Sequence, residues 1–311
     1  METYNQTSND FILIGLFSPL GTGLFLFIFI VLILLMALFG NLSMILLIFL
    51  DTHLHTPMYF LLSQLSFIDL NYVSTIVPKM AFNFLFGNKS ISFIGCGIQS
   101  FFFLTLAVVE ALLLTSMAYD RYVAICFPLH YPIRISKRVC VLMITGSWIM
   151  GSIKSFHTAY ALHFPFCGSR AIDHFFCEVP AMLVLSCVDT THYERTAYAS
   201  GVIFLFIPSS LIFASYVQIL LTVLQMKSKE ARKKSFSTCF FHMIVVIMYY
   251  LPFIFTYMRP KKYHTPGQDK FIRNKDVLDA MKNMLRSSFL HKMLQVKSLK
   301  YILLSIFIIN I

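Results

Sequence analysis

Asp69 and Glu110 are carboxylates set inside long apolar stretches. Ionisable groups there are costly and mark functional positions facing a helix-bundle interior. Asp69 lies 12 residues past Pro57 and Glu110 lies 11 before Arg121, depths of ~18 and ~16.5 Å at the helical rise. Asn41, 10 residues before Asp51, lies at ~15 Å by the same rise. The three therefore share one layer, and oxygen ligands on facing helices suit a hard monovalent cation such as sodium. The plainer alternative is one protonated carboxyl hydrogen-bonding the other. An intramembrane acid–base enzyme is not expected, because no Gly-x-Gly-Asp and no His-Glu-x-x-His run occurs.

Two further groups invite chemistry. Asp120-Arg121 ends a third apolar stretch, where a basic residue at the interface snorkels and fixes orientation. Cys96, Cys167, Cys177 and Cys187, with His174, contain the donor types of a zinc site. Zinc favours cysteine pairs two to four residues apart, and the last three cysteines are spaced by ten. Disulfides fit an oxidising compartment better, with three connectivities open for four cysteines. Cys126, Cys140 and Cys239 are expected to be free.

The elements that carry these residues are dictated by composition. The chain has 311 residues, 58% apolar and 13% charged, and a mean hydropathy of +0.74. Soluble domains carry roughly 25% charge, so a soluble globular fold is excluded. The net charge of +11 is no nucleic-acid signal, since residues 259–311 alone hold 11 Lys/Arg against 3 Asp/Glu. Six apolar stretches, residues 24–50, 58–86, 91–119, 139–162, 196–226 and 235–258, are each long enough for the ~20-residue helix that crosses a bilayer. Lys154 interrupts the fourth. The inverted repeats and paired broken helices of a transporter are not found.

Loop charges orient the spans, because Lys and Arg concentrate on the cytoplasmic side. Arg121, Arg134, Lys137 and Arg138 follow the third span, and Lys227, Lys229, Arg232, Lys233 and Lys234 follow the fifth. Residues 1–23 hold no basic residue, so the N-terminus is expected outside. With no Lys or Arg before Lys79, the first hydrophobic helix is expected to act as signal anchor. Asn5-Gln6-Thr7 fits a glycosylation acceptor there and Asn88-Lys89-Ser90 a second, while Asn41-Leu42-Ser43 lies inside a span and is a false match. Six spans would leave the basic segment 259–311 outside, against the rule that oriented the rest. The apolar run 301–311 spans only ~16 Å as helix and cannot supply another crossing. The charge pattern therefore predicts that a span is missing before residue 273.

The run Met117-Ala118-Tyr119-Asp120-Arg121-Tyr122-Val123-Ala124-Ile125-Cys126-Phe127-Pro128-Leu129-His130-Tyr131 resembles the vertebrate odorant (olfactory) receptors, a branch of the rhodopsin-like G-protein-coupled receptors. Leu54-His55-Thr56-Pro57-Met58-Tyr59-Phe60, Gly40-Asn41 and Lys234-Ser235-Phe236-Ser237-Thr238-Cys239 resemble the same family. Phe240 and Phe241, before His242, replace its usual small polar residues. Tyr263 to Lys270 resemble its last outer loop and Arg273 to Val277 the start of its cytoplasmic tail. Only Phe271 and Ile272 stand where the family places its seventh helix.

The resemblance implies an all-α, polytopic membrane helix bundle of the seven-transmembrane receptor type, here with six clear spans. Its parts are an extracellular N-terminus over 1–23, a six-helix bundle over 24–258, and a basic tail over 259–311 with a truncated seventh-helix region. It implies disulfides Cys96–Cys177 and Cys167–Cys187, and a switch of Asp120, Arg121 and Tyr122 in which Arg121 is held at rest and released toward the G protein. Relatives carry sodium at residues like Asp69, Glu110 and Asn41. Phe103, Leu104, Ala107 and Val108 of the third span, Ser200 and Phe204 of the fifth, and Tyr250, Phe253 and Tyr257 of the sixth are the expected ligand lining. That lining is mostly apolar with a few hydroxyls and fits a small volatile organic molecule, although aromatics at helical spacing also pack cores. The expected partners are an odorant, a stimulatory G protein and membrane lipid, with no nucleic acid. The expected location is the plasma membrane, with poor export and lost signalling where the seventh helix is absent.

Overall fold

The computed structural model describes residues 10–14, 22–172, 174 and 176–258, leaving out the side chains of residues 22–26, 29, 30, 33, 234, 238, 241, 248 and 251–258. The acceptor Asn5, the seventh-helix region and the basic tail lie outside the described residues, as do the side chains of Phe253 and Tyr257.

Six long helices coincide with the six apolar stretches. They are α1 (Thr22–Leu50), α2 (Pro57–Phe86), α3 (Phe93–Cys126), α5 (Lys137–Ala159), α7 (Thr191–Gln225) and α8 (Lys229–Met258), with short helices α4 (Tyr131–Arg134) and α6 (Val179–Leu183) between them. Pro57–Phe86, Phe93–Cys126, Lys137–His163 and Thr191–Gln225 are long and apolar enough to cross a membrane. Phe39 and Phe49 of α1 stay 74% and 76% exposed. In hydrocarbon this is no penalty, because lipid tails are as apolar as the side chains. Pro78 and Pro208 sit within α2 and α7 without ending either helix. Helix α7 starts earlier than the uncharged run. Asp189 Oδ1 accepts from the Thr191 amide at 2.9 Å, and the Thr190 hydroxyl donates to Glu194 at 2.8 Å. Capping thus extends the helix beyond its apolar part, which hydropathy alone does not register.

The chain divides into two compact units. The first comprises Met1–Val31, Leu70–Val109 and Gly146–Ser200, the second Leu32–Asp69, Glu110–Thr145 and Gly201–Ile311. In the first unit a small sheet joins the helices: β1 (Phe11–Leu13) pairs antiparallel with β2 (Ser90–Ile91) and parallel with β3 (Ala171–Ile172). Phe11, Leu13, Ile91, Cys96, Ile172, Cys177 and Met182 form a buried cluster around it. Helices α3 and α5 meet closely at Gly151, where an added Cβ would stand 2.9 Å from the Thr105 carbonyl oxygen and 2.8 Å from Val109. One turn away the Thr105 hydroxyl donates to Ser155 at 2.8 Å. In the second unit Val123, Ile135 and Cys140 form a core against which Tyr122, Phe127 and Tyr131 pack. Arg134 lies over the Phe127 ring at 4.8 Å.

Candidate functional site

In the second unit Asn41, Asp69 and Glu110 are all buried, at 2%, 1% and 4% exposure. The Asn41 side chain hydrogen-bonds the Asp69 carboxylate, and Asp69 and Glu110 interact electrostatically. Asp69 Oδ2 is buried without a hydrogen-bond partner among the described residues. An orphaned oxygen beside a second carboxylate and an amide is a donor set that fits a hard cation. Among the described residues no cluster of three or more His, Cys, Asp or Glu is arranged to hold a metal, which sets the layer apart from a transition-metal site.

At the other end of α3's share of this unit, Asp120 is held from two sides. The Tyr131 hydroxyl donates to Asp120 Oδ1 at 2.8 Å, and Arg121 Nε lies 3.6 Å from Oδ2. The second contact is an ion pair without a hydrogen bond, since both atoms are buried without hydrogen-bond partners. Burial first, then the bond to Asp120, pushes the Tyr131 phenol well above its ordinary value. Pro128 opens the short turn Pro128–His130 that leads into α4 and carries Tyr131 back to Asp120. Arg121 also lies within electrostatic reach of Tyr216 on α7 and His242 on α8. Those two are hydrogen-bonded, Tyr216 Oη to His242 Nδ1, while His242 Nε2 is buried with no hydrogen-bond partner among the described residues. A cation held at 3.6 Å, with an aromatic–imidazole pair nearby, is a restrained group with an alternative environment within reach.

In the first unit disulfides join Cys96 to Cys177 and Cys167 to Cys187, with Cα atoms 5.3 and 5.4 Å apart. All four sulfurs are thereby used, which rules out the zinc alternative. Cys126, Cys140 and Cys239 are free. Phe103 and Leu104 are half-buried, Ala107 and Val108 buried. The Phe103 ring packs on Phe176 at 4.8 Å and Tyr72 at 5.8 Å. Ser200 donates to the Ala197 carbonyl at 2.9 Å and accepts from Lys154. In the second unit Phe204 is half-buried, and buried Tyr250 donates from Oη to the Ala111 carbonyl at 3.2 Å.

Sequence reasoning missed four of these partners. Lys154 stood only as an interruption of a span, although its charge was the signal. Tyr131 closed a motif without a role, His242 was passed over beside Phe240 and Phe241, and Tyr216 carried no signal at all.

Among solved structures the chain is similar to squid rhodopsin, with a TM-score of 0.62, 15% identity, and coverage of 90% of this chain and 75% of that one. The fold is that of the rhodopsin-type membrane receptors. A family model described as olfactory receptor matches residues 29–266. Human olfactory receptor 2L2 is 62% identical over 312 aligned positions, which take in 94% of this chain and all of the relative. Human olfactory receptor 2L3 is 68% identical over 273 positions, 88% of each chain. Human olfactory receptor 2AJ1 is 62% identical over 317 positions, 96% of this chain and 97% of the relative. The chain belongs to the olfactory receptor family. It is a multi-pass membrane protein of a signalling class, not an enzyme.

Proposed function

We propose that this chain is an odorant receptor of the plasma membrane, its N-terminus outside, built to bind small volatile organic molecules and to engage a stimulatory G protein at its inner face. The observation that carries the reading is Asp120, buried, hydrogen-bonded by Tyr131 and ion-paired with Arg121, in a member of this family. An arginine restrained this lightly can exchange partners when a ligand biases a two-state equilibrium. Phe103, Leu104, Ala107, Val108 and Ser200 are the proposed ligand contacts of the first unit, and Asp69, Glu110 and Asn41 the proposed holders of a sodium ion. Sodium would supply charge compensation to the paired carboxylates, and these residues would fix its position.

A second reading has its own support. An alignment of 312 positions that includes all of one relative but 94% of this chain leaves about twenty positions of the relative without a counterpart, the length of one membrane helix. Together with the charge contradiction and the junction at Phe271-Ile272, this favours a receptor-derived chain that lacks its seventh helix, exports poorly and does not signal. One experiment separates the readings: surface staining and odorant-evoked cyclic AMP for this chain beside a version with a family seventh helix inserted after Phe271. Signalling only in the restored version supports the second reading, with Arg121→Ala expected to abolish it there. Equal surface level and signalling from both would sink it.

A further inference from the structure

Among the described residues, Lys154 of α5 has no counter-ion. It is 7% exposed, and its ammonium donates to the Ser200 hydroxyl and, at 3.4 Å, to the Ala197 carbonyl of α7. The ion pairs among the described residues, Arg121–Asp120 and His174–Glu178, do not include it. An ammonium has three donors, so one remains without a partner among the described residues. Neutral oxygens repay only part of the cost of desolvating a charge. A buried intramembrane cation of this kind marks a functional position unless an anion accompanies it.

The surroundings say what the anion is attached to. The rings of Phe156, Tyr160, Phe164 and Tyr193, with His157, Thr196 and, toward the start of α7, Asp189 and His192, line a cavity of about 490 Å³ on the same α5–α7 seam. Tyr193 Oη donates to the Thr158 carbonyl at 2.7 Å, whereas Ala197 and Ser200 meet Lys154. Ascending α7 therefore pairs with descending α5. Lys154 precedes His157 by three residues and Ser200 follows Thr196 by four, placing the ammonium about one helical turn, ~5 Å, further along the seam. An aromatic-walled cavity with a desolvated cation one turn beyond it suits an amphiphile with an apolar body and an anionic end.

We infer that the α5–α7 seam is a binding site for small organic carboxylates, the carboxylate accepting from the Lys154 ammonium beside Ser200 and the aryl or alkyl body lying among the aromatic rings of Phe156, Tyr160, Phe164 and Tyr193. This deepens the odorant-receptor reading, from which it takes Ser200 as a ligand contact. The ligand supplies the missing negative charge, so a neutral analogue of the same shape forgoes most of the affinity.

The test is binding rather than signalling. Trp148, the chain's single tryptophan, lies on α5 six residues from Lys154, and its fluorescence reports binding to the full chain in detergent micelles. Phenylacetate, methyl phenylacetate and 2-phenylethanol are titrated in parallel. Phenylacetate is expected to bind at least about tenfold more tightly than the ester or the alcohol, the scale of a hydrogen bond to a charged group. Lys154→Met is expected to erase that preference and Lys154→Arg to keep it. Equal affinities for acid and ester, no saturable binding of phenylacetate, or a preference that survives Lys154→Met would each overturn the site. The acid–ester comparison on the unsubstituted chain decides even if Lys154→Met does not fold. A carboxylate preference without cyclic AMP supports the site while counting against signalling, and cyclic AMP without that preference overturns the site alone.

Discussion

Tyr131 and Asp120 are joined by a 2.8 Å hydrogen bond that ties the segment after α3 back onto the buried end of that helix. The bond leaves Asp120 Oδ2 to Arg121 alone. The acidic partner of the arginine is thus positioned by a phenol outside the helix, and the restraint on Arg121 depends on a residue it does not touch.

Tyr131→Phe removes that donor and leaves Asp120 Oδ1 buried without it. The expected cost is about 1.5–3 kcal/mol of stability, as for other hydrogen bonds to charged groups, read as a lower melting temperature in micelles. The folded state favours the protonated phenol, raised from the ordinary 10.0. Its contribution is therefore complete below about pH 10 and is lost as pH rises above that value. The melting-temperature gap between the two proteins should narrow in strongly alkaline buffer; a gap that widens there, or none at neutral pH, refutes the account.

The sodium proposal predicts a cation-specific stabilisation. Replacing choline chloride by sodium chloride at constant ionic strength should raise the melting temperature of the unsubstituted chain. Asp69→Asn should abolish the difference, because it removes the charge beside Glu110. Identical sodium responses in both proteins would argue that Asp69 holds no ion.

The two disulfides should differ in value. Cys96–Cys177 spans 81 residues of chain and Cys167–Cys187 spans 20, so loop-closure entropy assigns roughly 4.5 and 3.3 kcal/mol to them. Denaturant midpoints for Cys96→Ser/Cys177→Ser and Cys167→Ser/Cys187→Ser double variants give the comparison. A larger loss from the shorter loop contradicts the entropic ordering.

Two glycines of α5 predict opposite outcomes. An alanine at Gly151 would press on the Thr105 carbonyl and Val109, whereas nothing lies within 4 Å of a Cβ at Gly146. Gly151→Ala should destabilise by about 1–3 kcal/mol through overpacking. Gly146→Ala should be neutral or stabilising by up to about 1 kcal/mol, the gain in helix propensity. Equal melting temperatures for the two variants would show that α3 and α5 do not meet as closely as described.

The sequence by itself determined where the helices are, because a bilayer demands long uncharged runs and such runs are visible one residue at a time. The odorant-receptor resemblance was equally local, resting on unbroken motifs such as residues 117–131. The layer of Asn41, Asp69 and Glu110 was legible too, since helical rise converts chain position into depth. Tertiary structure alone decided what pairs with what. Hydropathy marked Lys154 as an anomaly but could not place Ser200 beside it, 46 residues on, nor join Tyr216 to His242 across two helices. Residue counting left three connectivities for Cys96, Cys167, Cys177 and Cys187; the resemblance implied one of them, and proximity in space is what makes those two bonds. The three-residue β1 gave no usable periodicity, since its strand is made by partners that lie 80 and 159 residues further along the chain, Phe11 with Ile91 and Ile12 with Ala171. A bilayer imposes its constraint on each segment separately, whereas a polar partner inside it is chosen by whichever neighbouring helix packs alongside.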